Sequence, residues 1–146
     1  MGDKPVLRYE AVEAGHRLGP IRYRVDPELV RGQLQAVGQP VPVFLTDPAT
    51  DTLLIEPSLY ARNYIRLLRA SFSVEGVIHA RTELALKRPA RAGQLLTVTG
   101  RVAEKYFRRG RPYVVVESAT FDESGEEVSG ERNTLLLSLS DGDGDR

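Results

Sequence analysis

From Val74 to Leu139 the sequence repeats one pattern four times, a run of alternating apolar and polar residues closed by a short turn. The runs are Val74–Arg88, Leu95–Phe107, Pro112–Phe121 and Val128–Leu139. The turns between them are Pro89-Ala90-Arg91-Ala92-Gly93, Arg108-Arg109-Gly110-Arg111 and Asp122-Glu123-Ser124-Gly125. Long strands joined by connections this short pair with their chain neighbours, so almost half of the chain is predicted to be an antiparallel meander. In the first run, two-residue alternation puts Ile78, Ala80, Thr82, Leu84 and Leu86 on one face, and His79, Arg81, Glu83 and Lys87 on the other.

The first half supplies what such a sheet must bury. A short strand is expected around Val6–Val12, and another at Ile21–Val25, where Ile21, Tyr23 and Val25 alternate with Arg22 and Arg24. Asp26-Pro27-Glu28 then combines a capping carboxylate, a first-position proline and a first-turn acid, and Gly38 is placed to end the helix they begin. Prolines 40, 42 and 48 make Gln39–Thr52 an extended connection. Pro57–Ala70 is the strongest helix, with Tyr60, Tyr64, Leu67 and Leu68 on one stripe over a length of roughly 21 Å. The fold class is therefore α+β, a long central helix wrapped by a curved antiparallel sheet. Residues 1–140 are expected to form one domain and 141–146 an acidic flexible tail. One helix covers one face of a sheet and leaves its edges open, so a dimer is expected to close them.

Several function classes drop out. With no cysteine there is no disulfide, thiolate metal site or cysteine nucleophile. Only two histidines are present, His16 and His79, and no metal or other cofactor is expected. Twenty basic and twenty acidic residues leave no excess positive charge for nucleic acid. No run approaches the ~18 apolar residues of a membrane span, and residues 1–10 lack the apolar core of a signal peptide, so a cytoplasmic location is expected.

Three segments carry a family resemblance. Arg88-Pro89-Ala90-Arg91-Ala92-Gly93-Gln94-Leu95-Leu96 resembles the "RPvraGDtL" turn of MaoC-like dehydratases and (R)-specific enoyl-CoA hydratases. Ile78-His79-Ala80-Arg81-Thr82-Glu83 resembles their "lHa.qe" strand, and Ile55-Glu56-Pro57-Ser58-Leu59 the "iaPPt" approach to the central helix. The order of elements resembles the hotdog fold of that family, and over Glu13–Ser138 the chain is most similar to the FAS1-like, or N-terminal, dehydratase subgroup.

The resemblance implies chemistry in a short segment, G-D-x-N-P-[LI]-H, whose Asp and His hold one water between them. A backbone N–H near the start of the central helix would polarise the thioester carbonyl. The aligned segment here is Gly38-Gln39-Pro40-Val41-Pro42-Val43-Phe44. Gln39 stands where the acid belongs and Phe44 where the histidine belongs, and neither can exchange a proton. A shifted alignment brings in Asp47 or Asp51, with no histidine following at the required spacing. The catalytic set is therefore expected to be empty.

In this class, one hotdog can carry the catalytic segment while a degenerate hotdog shapes the acyl tunnel, fused or as a separate subunit, as in 3-hydroxyacyl-carrier-protein dehydratases. By that resemblance the chain is an acyl-thioester-binding, non-catalytic subunit of a heteromeric (R)-specific enoyl-CoA hydratase or 3-hydroxyacyl-thioester dehydratase in fatty-acid metabolism. Its partner would be a catalytic MaoC-like subunit and its ligand an acyl-CoA or acyl-carrier-protein thioester. The alternatives are a stand-alone acyl-CoA-binding homodimer, or a thioesterase using Glu56. Candidate substrate contacts are Glu56, Tyr60 and Tyr64 at the helix, which otherwise serve as cap and core, and the basic group Lys105, Arg108, Arg109 and Arg111, whose charge suits phosphate.

Overall fold

The computed structural model describes residues 3–38, 46–50 and 52–138. Gln39, Phe44, Asp51 and the 141–146 tail lie outside the described residues. Strand β1 (Arg17–Arg24) is followed by helix α1 (Pro27–Ala36) and a small hairpin of β2 (Thr46–Asp47) and β3 (Thr52–Leu53). A 3-10 segment (Pro57–Arg62) then runs into helix α2 (Asn63–Ser71). Strands β4 (Ile78–Leu86), β5 (Leu95–Arg108), β6 (Arg111–Phe121) and β7 (Glu127–Leu136) complete the chain. The five long strands form one antiparallel sheet in the order β1-β5-β6-β7-β4, so the expected four-strand meander holds only for β5–β7, and β4 crosses over to pair with β7 instead of its chain neighbour β5.

Local sequence explains the helix ends. Asp26 caps α1, its carboxylate accepting the Glu28 N–H at 2.8 Å, and Gly38 follows with φ +70°. The expected strand at Val6–Val12 is reduced to a bridge from Val6 to Ser73 and a 3-10 turn at Tyr9–Ala11.

The expectation of a long central helix is not met. Pro57–Arg62 winds as 3-10 helix, with Leu59 N–H bonded to Glu56 and Asn63 N–H to Tyr60, each three residues back, and only nine residues, Asn63–Ser71, are α-helical. The change of winding coincides with a change of core. Leu59 and Tyr60 pack with Val30, Leu96 and Val128, whereas Tyr64, Leu67 and Leu68 pack with Val98, Val102, Val114 and Leu135.

Two glycines let α2 sit close to the sheet. A Cβ on Gly100 would lie 2.7 Å from a Leu67 methyl and 2.8 Å from the Glu117 carbonyl. A Cβ on Gly19, at φ +80°, would meet the other Leu67 methyl at 2.7 Å. Leu67 thus occupies a notch that only missing side chains create, and it is fully buried. Helix α2 packs on β1, β5 and β6. Strand β4, at the far edge, is exposed at every position except the half-buried Leu84, and it ends in the exposed apolar residues Ile78 and Leu86. No helix among the described residues is long and apolar enough to cross a membrane.

Gly100→Ala should cost about 1–3 kcal/mol, because the new methyl meets backbone as well as Leu67. Urea unfolding should show the midpoint falling without a change in slope.

Candidate functional site

The start of the central helix is closed by its own side chain. Ile55 N–H is tied to the Ala90 carbonyl at 2.8 Å, which fixes the approach. Glu56 follows in extended conformation, and one carboxylate oxygen accepts the Ser58 N–H at 3.2 Å. The other accepts Gln33 Nε2 at 3.1 Å and also the Ser58 hydroxyl. Pro57 has no N–H, so Ser58 carries the first amide of this helix start, and an internal carboxylate takes it. Glu56 acts here as a cap whose charge complements the helix terminus.

Beneath α2 the inner face of the sheet is polar, a feature the sequence reading missed. Asn63 is fully buried; its Oδ1 accepts the Tyr23 hydroxyl at 2.5 Å and its Nδ2 donates to Thr120 Oγ1 at 2.7 Å. Burial raises the Tyr23 phenol above its ordinary value, and pushes that of Tyr60 up to about 12. Glu131 is 5 % exposed; one oxygen accepts Asn133 Nδ2 at 3.3 Å, while the second is buried without a partner. Desolvation pushes this carboxyl up to about 7.

The polar line continues to the open edge of the sheet. Asn133 Oδ1 accepts Thr82 Oγ1 at 2.7 Å and meets His79 Nε2 at 3.2 Å, and His79 lies 5.1 Å from the Tyr64 ring. The face predicted for His79 is corrected by a register irregularity between His79 and Arg81, which turns His79 inward with Thr82 and Leu84. His79 and Glu131 remain separated by an amide, which does not exchange protons near neutral pH. His16 packs by Phe72, at 6.1 Å between ring centroids. Among the described residues neither histidine is hydrogen-bonded or ion-paired to a carboxylate.

The remaining candidates are scattered. Tyr60 and Tyr64 are buried, at 2 % and 8 % exposure. Asp47 is bound by Arg91 at 2.7 Å, and hydrogen bonding to that guanidinium holds its carboxyl below the usual range. Lys105 is separated from the other basic residues: its Nζ donates to the carbonyls of Tyr9 at 3.0 Å and Val12 at 2.9 Å and to Glu13 at 3.2 Å, over the Tyr9 ring. Arg108, Arg109 and Arg111 stand exposed at the β5–β6 turn, whose Arg109 and Gly110 have φ +51° and +73°. Among the described residues no acid pairs with these three.

A concavity of about 910 Å3 lies on the outer face of the sheet around Ala85, Thr99, Ala119 and Gly130, and its lining also takes in Arg17 and Glu131. Arg101 is paired there with Glu117 at 2.8 Å, and Arg132 with Glu104 at 2.5 Å.

Glu131 gives a pH signature. Its carboxyl is raised in the folded state, so folding favours the protonated form: the stabilisation is complete below about pH 4.5 and is lost as pH rises towards 7. Melting temperature should fall across that window, by the equivalent of roughly 1–3 kcal/mol. Glu131→Gln should flatten the fall, as read by thermal unfolding of both proteins over the same buffers.

Comparison with known proteins adds three findings. The sequence profile of the family described as FAS1-like, dehydratase domain region, matches residues 13–131. A UPF0336 protein of Streptomyces avermitilis is 31% identical over 119 residues, covering 73% of this chain and 79% of that one. Among solved structures, the C-terminally truncated HadBC (3R-hydroxyacyl-ACP dehydratase) complex of Mycobacterium tuberculosis matches with a TM-score of 0.70 at 20% identity, over 84% of this chain and 96% of that one. The (R)-hydratase of A. caviae, involved in PHA biosynthesis, matches with a TM-score of 0.72 at 18% identity, over 88% and 99%.

Proposed function

Since the chain belongs to the FAS1-like dehydratase domain family, we propose that it is the acyl-thioester-binding, non-catalytic subunit of a heteromeric (R)-specific enoyl-CoA hydratase or 3-hydroxyacyl-thioester dehydratase. The observation that carries this reading is the missing acid–histidine pair. The chain has two histidines, and the described structure gives neither a carboxylate, while Gln39 and Phe44 fill the positions where the family resemblance looks for the pair.

Two features support a supporting role. The family resemblance asks a free N–H at the helix start to polarise the thioester carbonyl, and here Glu56 accepts the Ser58 N–H. The chain also leaves β4 unpaired along one side, an edge that a second hotdog can continue. The HadBC complex is a relative in fold whose name describes an assembly of this kind.

In this reading the partner brings the acid, the histidine and the water. Hydration adds the water oxygen to the β-carbon and a proton to the α-carbon of the enoyl thioester, and dehydration is the reverse. This chain closes the partner's open sheet edge and supplies part of the wall against the acyl group.

Purified alone, the chain should not consume the conjugated thioester absorbance of crotonyl-CoA. Adding a catalytic MaoC-like subunit should restore turnover and give a complex on gel filtration. Turnover by the chain alone would contradict the proposal. Binding of acyl-CoA by a homodimer that no catalytic subunit activates would replace it with the stand-alone binding reading.

A further inference from the structure

The topology fixes which end of the sheet carries the arginine turn. Gly76, Ile78, Gly110, Arg111 and Leu136 line one cleft of about 290 Å3, so the β5–β6 turn stands beside the first residue of β4. The last residue of β4, Leu86, leads within four residues to Ala90, whose carbonyl holds Ile55 just ahead of the helix start. The arginine turn and this chain's own helix start therefore lie at opposite ends of β4.

Edge-to-edge pairing about a two-fold axis makes two β4 strands antiparallel. It sets the Ile78 end of one subunit beside the Leu86 end of the other, and so brings the arginine turn alongside the partner's helix start. Strand β4 is two strand spacings from β6, roughly 10 Å. The turn thus stands within the length of an extended pantetheine arm from the edge that the two subunits would share.

We propose that Arg108, Arg109 and Arg111 form an anion site that acts in trans, receiving the phosphate groups of a phosphopantetheine thioester whose acyl end enters the partner's site. The proposal rests on the partner-subunit reading above. Its chemistry follows from what surrounds the turn. Neighbouring cations are neutralised within the fold: Arg101 by Glu117, Arg132 by Glu104, and Lys105 by Glu13 and two carbonyls. Among the described residues the three turn arginines have no acidic partner, so a chain of zero formal net charge carries a concentrated positive spot within four residues. Guanidinium forks match phosphate oxygens two by two, and an exposed turn meets them without desolvating a buried charge. The phosphates are common to coenzyme A and to the prosthetic arm of a carrier protein.

The test uses the complex of this chain with a catalytic subunit and three crotonyl thioesters: of coenzyme A, of a phosphopantetheinylated carrier protein, and of pantetheine, which has no phosphate. Arg108→Ala, Arg109→Ala and Arg111→Ala together should raise KM about tenfold for one or both phosphate-bearing substrates, with kcat and the pantetheine KM unchanged. Loss confined to one substrate identifies its carrier. The three Arg→Lys replacements should lose less, because they keep the charge and forfeit the fork. Unchanged KM for both phosphate-bearing thioesters, or an equal rise for pantetheine, would overturn the proposal. If no catalytic subunit yields activity, the subunit reading fails separately, and coenzyme A binding to the chain's own assembly decides the anion site. Weaker binding by the triple alanine variant sustains it and unchanged binding overturns it.

Discussion

Leu67, seated between Gly19 and Gly100, governs the rest of the structure. It places α2 over β1, β5 and β6, and a nine-residue helix so placed cannot also cover β4. The uncovered part of the sheet is where the chain departs from a self-sufficient fold. Strand β4 is exposed along nearly its whole length, and the inner face beside it carries Glu131, Asn133, Thr82 and His79 where a core would carry aliphatic side chains. One packing contact thus sets both the open edge and the polar line beside it.

At the helix start Glu56 accepts the Ser58 N–H and is held by Gln33, while beneath α2 the buried Glu131 is held by Asn133. Filled with internal acceptors, such a terminus is stabilised as structure and is less available to a ligand carbonyl. Arg108, Arg109 and Arg111, which have no acidic partner among the described residues, stand at the other end of the sheet, at the β5–β6 turn.

Much of the fold was legible in the sequence because β-alternation and turn residues are local signals. The four later strands, the α1 cap and the helix stripe of Tyr64, Leu67 and Leu68 stand where alternation, Asp26 and period placed them, although only β5, β6 and β7 form the expected meander. The signals failed where tertiary contacts decide. A register irregularity after His79 inverted its face, and bonding three residues back from Glu56 and Tyr60 shortened the α-helix. The polar inner face was within reach: stepping back by twos from Leu135 and Leu137 lands on Asn133, Glu131 and Ser129, all buried. Their polarity argued for the outside, and only the neighbours Asn63, Tyr64 and Thr82 explain why they lie within. Lys105 looked equivalent to Arg108, Arg109 and Arg111, yet its ammonium is bound by carbonyls from a segment over 90 residues away.

The account stands or falls on β4 being completed by a partner. Amide hydrogen exchange along Ile78–Leu86, measured on the chain alone and after addition of a catalytic hotdog subunit, tests it directly. The outward-facing amides of β4 should be among the fastest-exchanging in the sheet when the chain is alone, and should become as protected as those of β6 in the complex. Rapid exchange along β4 in an active complex would show that the subunits join elsewhere, and would contradict the account.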